Sequence, residues 1–420
     1  MSLTDFAKRE PVHVVYGGAH LFRAGTCRKL GDLARRALAE YARDAEEFAR
    51  VLGISDELAE TVHARVAAKL EREPIEDFRI DFEDGYGFRP DEEEDAAADS
   101  AASETTRAMA EGSLPAFFGI RIKPLNEECK GRSVRTLQIF VDRVLQLTGG
   151  HAPENFVVTL PKITTPGQVN ELVRFLEQYP GIRMELMIET PQAVLRIPEL
   201  IDAAHGLCAA AHFGPYDYAA SLGLTASGSL TASRQIPQHP ACDFARSTMQ
   251  IHFAGTGICI ADGPTNVLPL PIHRGSLLSA AQAAENRTAV HRAWKLHYEA
   301  VRRSLDHGFY QGWDLHPAQL PVRFAAVYAF FLEGREASGE RLRNFIAAAA
   351  QATQVRGVFD DAATGQGLLN YFLRAAGCGA VSEMEASALA GLTLEEMRTA
   401  SFSKILDRRT ARKESSSRTA

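Results

Sequence analysis

Eight short β-rich runs alternate with stretches of helical periodicity along the first three quarters of the chain, and no other feature limits the possible folds so strongly. The runs are 12–18 (VHVVYGG), 78–85 (FRIDFEDG), 117–124 (FFGIRIKP), 156–163 (FVVTLPKI), 183–190, 207–217, 257–262 (GICIAD) and 309–316 (FYQGWDLH). Between them apolar residues recur at helical spacing, as in Val169, Leu172, Val173 and Leu176, or Val194, Ile197, Leu200 and Ile201. The runs are apolar without strict alternation, as expected of strands buried on both faces. Eight such strands joined by helical crossovers predict a closed α/β barrel of the (β/α)8 type. A minimal barrel takes roughly 250 residues, and this chain has 420. The surplus predicts a barrel over 1–322 with an inserted helical pair at about 27–73, then a helical appendage over 323–405. The polar end, 406–420, is expected to be without regular structure.

Composition narrows the partners. A formal net charge of −7, with 24% charged residues and no basic face, argues against nucleic-acid binding. The glycine pairs at 17–18 and 255–257 lack the context of a phosphate-cradling loop, so no nucleotide site is expected. No stretch approaches the roughly 18 apolar residues of a membrane span, and the opening MSLTDFAKREPVH has no apolar signal core. Six cysteines (27, 129, 208, 242, 259, 378) are scattered without CxxC spacing, as in a chain with reduced thiols. The expectation is a cytoplasmic protein with no membrane partner. The acidic run 91–95 reads as a solvated helix start, where negative charge suits the N-terminal dipole.

Catalytic groups of such a barrel stand at the C-terminal ends of the strands, and here a polar residue ends strand after strand. The second run carries Asp81, Glu83 and Asp84; the third, Arg121 and Lys123; the fourth, Lys162. The fifth ends in Glu189, the sixth runs into Asp217, the seventh ends at Asp262 and the eighth at Asp314 and His316. Glu189 and Asp217 are separated by a single crossover and fall side by side at one barrel end. Two hard oxygen ligands leave room for water and substrate around Mg²⁺ or Mn²⁺. Arg121 offers a planar fork for a carboxylate. Asp81, Glu83 and Asp84 would repel one another unless a cation offsets them, and Lys162 could supply it. An acid such as Asp217 or Asp262 taken alone could equally cap the next helix, and His316, before a proline, reads as structural.

The ordered set IDFEDGYG, GIRIKP, LPKI, MIETPQAVL, FGPYDYAASLG, IADGP and GWDLHPAQ resembles the citrate lyase β-subunit/malyl-CoA lyase branch of the HpcH/HpaI aldolase family, over residues 12–320. The resemblance implies a TIM barrel of the phosphoenolpyruvate/pyruvate type and a Mg²⁺-dependent carbon–carbon lyase. Its substrate would be a small 2-hydroxy or 2-oxo acid or its coenzyme A thioester. It implies Glu189 and Asp217 as metal ligands, Arg121 as the group holding the substrate oxygens, and Asp81, Glu83 and Asp84 as the acidic motif near the metal. It further implies a homo-oligomer, trimer or hexamer, in which 357–361 offers Asp360 or Asp361 to a neighbouring site as the base. Three departures stand out: the insertion after the first strand, the acidic run after the second, and the longer C-terminal part. Two other readings fit the same residues. One is Claisen condensation with thioester hydrolysis, as in malate synthase, whose second-strand motif DFED also resembles. The other is a barrel that binds a small acid without turnover.

Overall fold

Eight parallel strands pair in sequence order and close when the first meets the last. The computed structural model describes residues 9–224, 236–275, 277–352 and 362–418. The strands are β1 (His13–Gly18), β2 (Asp77–Asp81), β3 (Phe117–Arg121), β4 (Phe156–Leu160), β5 (Arg183–Ile188), β6 (Cys208–Phe213), β7 (Cys259–Asp262) and β8 (Gln311–Asp314). The barrel's helices begin with α1 (Thr26–Tyr41), α2 (Ala45–Leu52), α3 (Asp56–Arg72), α4 (Asp91–Ala110) and α5 (Lys130–Thr148). They continue with α6 (Pro166–Leu176), α7 (Pro191–Leu195), α8 (Ile197–Ala203), α9 (Pro215–Ser221), α10 (Pro240–Phe253) and α11 (Ala280–Asp306). Then follow α12 (Leu320–Ala352), α13 (Ala362–Gly377), α14 (Glu383–Ala390), α15 (Leu394–Met397) and α16 (Phe402–Arg418). All eight expected strands are present, each ending near its polar residue. Among the described residues no helix is long and apolar enough to cross a membrane.

The chain divides into two compact units. One comprises Pro11–Gly53 and Val66–Phe324 and contains the whole barrel; the other comprises Met1–Glu10, Ile54–Arg65 and Ala325–Ala420. The expected helical pair after β1 is three helices. Asp44 accepts from the Glu47 N–H at 2.7 Å and starts α2, and Gly53, at φ +80°, stops it. These two signals cut a stretch that periodicity alone runs together. In the second unit, α16 carries helix to Arg418, so the end of the chain is not the structureless tail expected. Phe402 and Ile405 are fully buried in its first turn, and Arg409 is bound to Glu396 at 2.6 and 2.8 Å. With no glycine or proline after them, the helix simply continues.

The strand ends are set by local chemistry. Directly after Glu189, the Thr190 hydroxyl donates to the Ile163 carbonyl and accepts from the Ala193 N–H at 3.0 Å, and Pro191 occupies the first helical position. That combination stops β5 sharply and leaves Glu189 at the barrel mouth. The interior below is not wholly apolar. Glu185 accepts from Thr159 Oγ1 at 2.8 Å and from the Tyr16 hydroxyl at 3.0 Å, and pairs with Arg79 at 3.3 Å. Burial opposes its ionisation, but the Arg79 charge, His212 and the Thr159 and Tyr16 hydrogen bonds together outweigh burial and hold its pKa below the ordinary value. An apolar-run reading of MELMI gives no sign of this layer, because its one polar member looks like an interruption.

Candidate active site

The acids at the end of β2 are tied up with the cation from β3. Arg121 is buried; its Nε donates to Asp81 Oδ1 at 2.8 Å and its Nη2 to Oδ2 at 2.5 Å. The same two oxygens accept from the Glu83 and Gly85 N–H groups at 2.9 and 2.8 Å. A carboxylate has about four acceptor positions, so Asp81 is saturated and acts as the mount for Arg121. Gly85 is required here, since a Cβ would sit 2.5 Å from Asp81 Oδ2. The Arg121 Nη1 lies 3.1 Å from Glu83 and 3.7 Å from Asp84, and its guanidinium is 5.0 Å from the Tyr16 ring and 5.4 Å from that of Trp313. Lys162 pairs with Glu83 and, at 3.1 Å, with Asp84. Burial raises the Glu83 pKa; for Asp84, burial is outweighed by the Arg121 and Lys162 charges, which hold it below the ordinary value. Three acids and two cations thus form one cluster, and Lys162 takes the pairing role that the sequence left open.

Lys123 does not join it. Its ammonium donates to the Phe82 carbonyl at 2.8 Å and to Glu94 at 2.7 Å, deep beside α4. Glu94 itself is buried and accepts from Thr136 at 2.7 Å. The acidic run is therefore a helix start, as read, but one of its acids faces inward because Lys123 needs a partner.

Glu189 and Asp217 are different. Glu189 is buried, Asp217 half-buried in the first turn of α9, and both line one cavity of about 220 Å³. The Lys162 N–H donates to Glu189 Oε1 at 2.6 Å, which Lys162 achieves with a left-handed backbone at φ +51°. A non-glycine residue held there costs roughly 1–3 kcal/mol, a strain that aims this amide. A Cβ at position 214 would meet Glu189 Oε2 at 2.7 Å, so only glycine lets β6 pass beside the acid. Among the described residues neither Glu189 nor Asp217 has an ion pair. Burial, and then the charge of Asp217, push the Glu189 pKa up to about 8. No group of three or more histidine, cysteine or acid side chains forms a metal cage among the described residues. A pair of carboxylates with open space beside it suits Mg²⁺, which keeps several waters and takes one or two protein oxygens.

The ends of β7 and β8 do not contribute acids. Asp262 is gripped by Arg246 Nε at 2.9 and 3.0 Å and accepts from Ser304 at 2.5 Å. Asp314 is gripped by Arg323 at 2.9–3.2 Å, with His297 Nε2 at 2.9 Å. His316 caps the following turn, its Nδ1 accepting from the Ala318 N–H at 3.1 Å. These strands instead lend the cavity Pro264, Asn266, Trp313 and Leu315. Sequence reasoning passed over Trp313, although it is one of two tryptophans in the chain and adjoins a strand end. Asp360 and Asp361 lie outside the described residues.

With this geometry in place, comparison with known proteins adds the following. The sequence profile of a family described as a domain of unknown function (DUF6986) matches residues 4–405. No curated protein matches the sequence. The structure is similar to a citrate lyase from Burkholderia xenovorans LB400 at 17% identity and a TM-score of 0.56, over 90% of this chain and 96% of that one. It is also similar to a malate synthase from Haloferax volcanii in a lead(II) complex, at 15% identity and a TM-score of 0.44, over 83% of this chain and 96% of that one. An HpcH/HpaI aldolase/citrate lyase family protein from Burkholderia cenocepacia J2315 matches at 15% identity and a TM-score of 0.34, over 71% of this chain and 94% of that one. The likeness to the citrate lyase is one of fold.

Proposed function

We propose that this chain, which belongs to the DUF6986 family, is a Mg²⁺-dependent carbon–carbon lyase acting on a small 2-hydroxy or 2-oxo acid. One observation carries the reading: Glu189 and Asp217 share a cavity with Arg121 and have no ion pair among the described residues, while other strand-end acids of the barrel are paired. A buried carboxylate without an ion pair, with a second one half-buried beside it, is costly, and a divalent ion is the simplest group that removes the cost. The motif resemblance to the HpcH/HpaI aldolases and the citrate-lyase-like fold support the same reading. A cavity of about 220 Å³ lies below the roughly 300–1,000 Å³ of sites for drug-sized ligands and suits a small acid.

The residues would divide the work as follows. Glu189 and Asp217 hold the metal, which when bound polarises the substrate's oxygen and stabilises charge developing as the carbon–carbon bond breaks. Arg121, fixed by Asp81 and backed by Tyr16, presents its remaining N–H groups to the substrate's oxygens. Lys162 holds Glu83 and Asp84 in place through its ammonium and orients Glu189 through its amide. Asp84 is the acid of its cluster that lines the cavity and can take the hydroxyl proton in the cleavage direction. Asp360 or Asp361 from a neighbouring copy in a homo-oligomer is the other base to be weighed; mixing Glu189→Gln chains with Asp361→Asn or Asp360→Asn chains would restore activity only if the acid acts in trans.

The test is a Mg²⁺-supplemented screen of 4-hydroxy-2-oxo acids, 2-hydroxy acids and their coenzyme A thioesters, watching for a released 2-oxo acid or aldehyde. Release that disappears in Asp217→Asn supports the lyase. Release of free coenzyme A during condensation would replace it with the malate-synthase-like reaction. Tight binding with no turnover of any class would leave a small-acid-binding barrel.

A further inference from the structure

The rest of the cavity limits what the far end of the substrate can be, an inference that rests on the reading of the site just given. Five carboxyl groups (Asp81, Glu83, Asp84, Glu189 and Asp217) gather here against two cations, Arg121 and Lys162. A bound divalent ion still leaves a negative excess. Both cations are already engaged: Arg121 by Asp81 and Glu83, Lys162 by Glu83 and Asp84. Arg121 has donors left for one end of a substrate, and among the described residues no second uncommitted cation lines the cavity. A second carboxylate on the substrate would therefore be repelled and would find no partner.

Beside Arg121 the wall is largely apolar, with Asn266 and the Trp313 Nε1–H, unpartnered among the described residues, as its neutral polar groups. Trp313 lines it, with its ring centroid 4.3 Å from that of Tyr16 and 5.5 Å from that of His212, at 82° to the latter. Packing on two rings and on the Arg121 guanidinium holds the indole in one orientation. Tyr216, also on the wall, has its hydroxyl donating to the Pro264 carbonyl at 3.2 Å. Leu315 and the neutral Asn266 complete the surface.

We propose that the site takes monocarboxylic 2-oxo or 2-hydroxy acids whose other end is apolar, branched-alkyl or aryl, and that Trp313 is the residue that selects them over dicarboxylic acids. The wall rewards an apolar tail by burying it, and the acid cluster penalises a charged one. The test is calorimetric binding of three acids to the full chain, with saturating Mg²⁺ and again with the ion chelated. The acids are 4-methyl-2-oxopentanoate, phenylpyruvate and 2-oxoglutarate, which share the metal-binding end and differ in the tail. With Mg²⁺, the two apolar-tailed acids should bind at least tenfold more tightly than 2-oxoglutarate. Trp313→Ala should weaken them at least fivefold and leave 2-oxoglutarate within twofold; Trp313→Phe should keep most of the preference, which guards against misfolding. Equal or tighter binding of 2-oxoglutarate, or a uniform loss in Trp313→Ala, would overturn the selection. Failure of Mg²⁺ itself to bind would instead remove the metal reading, and the tail preference would then be read from the chelated series, where equal or absent binding of the three overturns it.

Discussion

Glu189 and Asp314 occupy equivalent places, one just beyond β5 and the other at the end of β8, and both are shut away from solvent. Their surroundings separate them. For Asp314, burial is outweighed by the Arg323 charge together with His297 and the hydrogen bonds from both, and its pKa lies well below the ordinary carboxylate value. For Glu189, which has no ion pair among the described residues, burial is reinforced by Asp217, so the pKa rises to about 8. One acid is part of what holds the barrel together; the other is held at the barrel's expense. The difference lies in a partner 9 residues along the chain, Arg323, and nothing in the strand-end pattern itself announces it.

The largest effect should come from the compensated side. Arg323→Ala leaves the Asp314 carboxylate buried without its fork, and breaking such a pair costs about 3–5 kcal/mol. Chemical denaturation of the metal-free protein reads this directly, and a loss under 1 kcal/mol would mean that Asp314 is not held by that charge.

Glu189→Gln should move stability the other way. Its folded-state pKa is raised, so above the unfolded value near 4.5 the unfolded chain gives up the proton first. Metal-free stability should therefore fall as pH rises from about 4.5 toward 8. Glutamine keeps the acceptor for the Lys162 amide and removes that penalty, a gain on the order of 2–3 kcal/mol at pH 7. Denaturation across this range should show the wild type declining and the variant flat over the contribution of this group. A variant less stable than wild type at pH 7 would refute the uncompensated burial.

Arg121→Lys retains charge but cannot keep two parallel bonds to Asp81 while facing the cavity. The expected loss in kcat/KM is about 2 kcal/mol in transition-state binding, and unchanged kinetics would make Arg121 a structural cation like Arg323. Thr190→Ala should be the mildest, about 1 kcal/mol for a lost cap, with weaker Mg²⁺ affinity because the end of β5 is less fixed. Stability lost without any change in affinity would detach the cap from the site.

The barrel was legible because strand burial on both faces and helical crossovers leave a direct imprint on the order of residues. The shared position of Glu189 and Asp217 beside one cavity was legible for a related reason: an acid closing an apolar strand stands out whether or not it has a partner. What the chain does not print is pairing across the barrel. Asp81 looked like a free acid beside two others and proves to be the mount for Arg121, 40 residues on. Asp262 and Asp314 joined the list of strand-end acids and are claimed by Arg246 and Arg323 from the following or preceding helices. Trp313 was missed because an aromatic in a strand reads as core until a cavity is seen beside it. The three helices after β1 and the helical end of the chain were misjudged on caps and on burial of single residues such as Phe402.

Calorimetric titration of the metal-free protein with Mg²⁺, beside Glu189→Gln, Asp217→Asn and the structural control Asp262→Asn, tests the central claim most directly. One ion should bind per barrel in the wild type and in folded Asp262→Asn. Binding should be absent in both Glu189→Gln and Asp217→Asn while their folds persist by circular dichroism. Unaltered Mg²⁺ binding in either of those two variants, or none in the wild type, would contradict the assignment of Glu189 and Asp217 as the metal-holding pair.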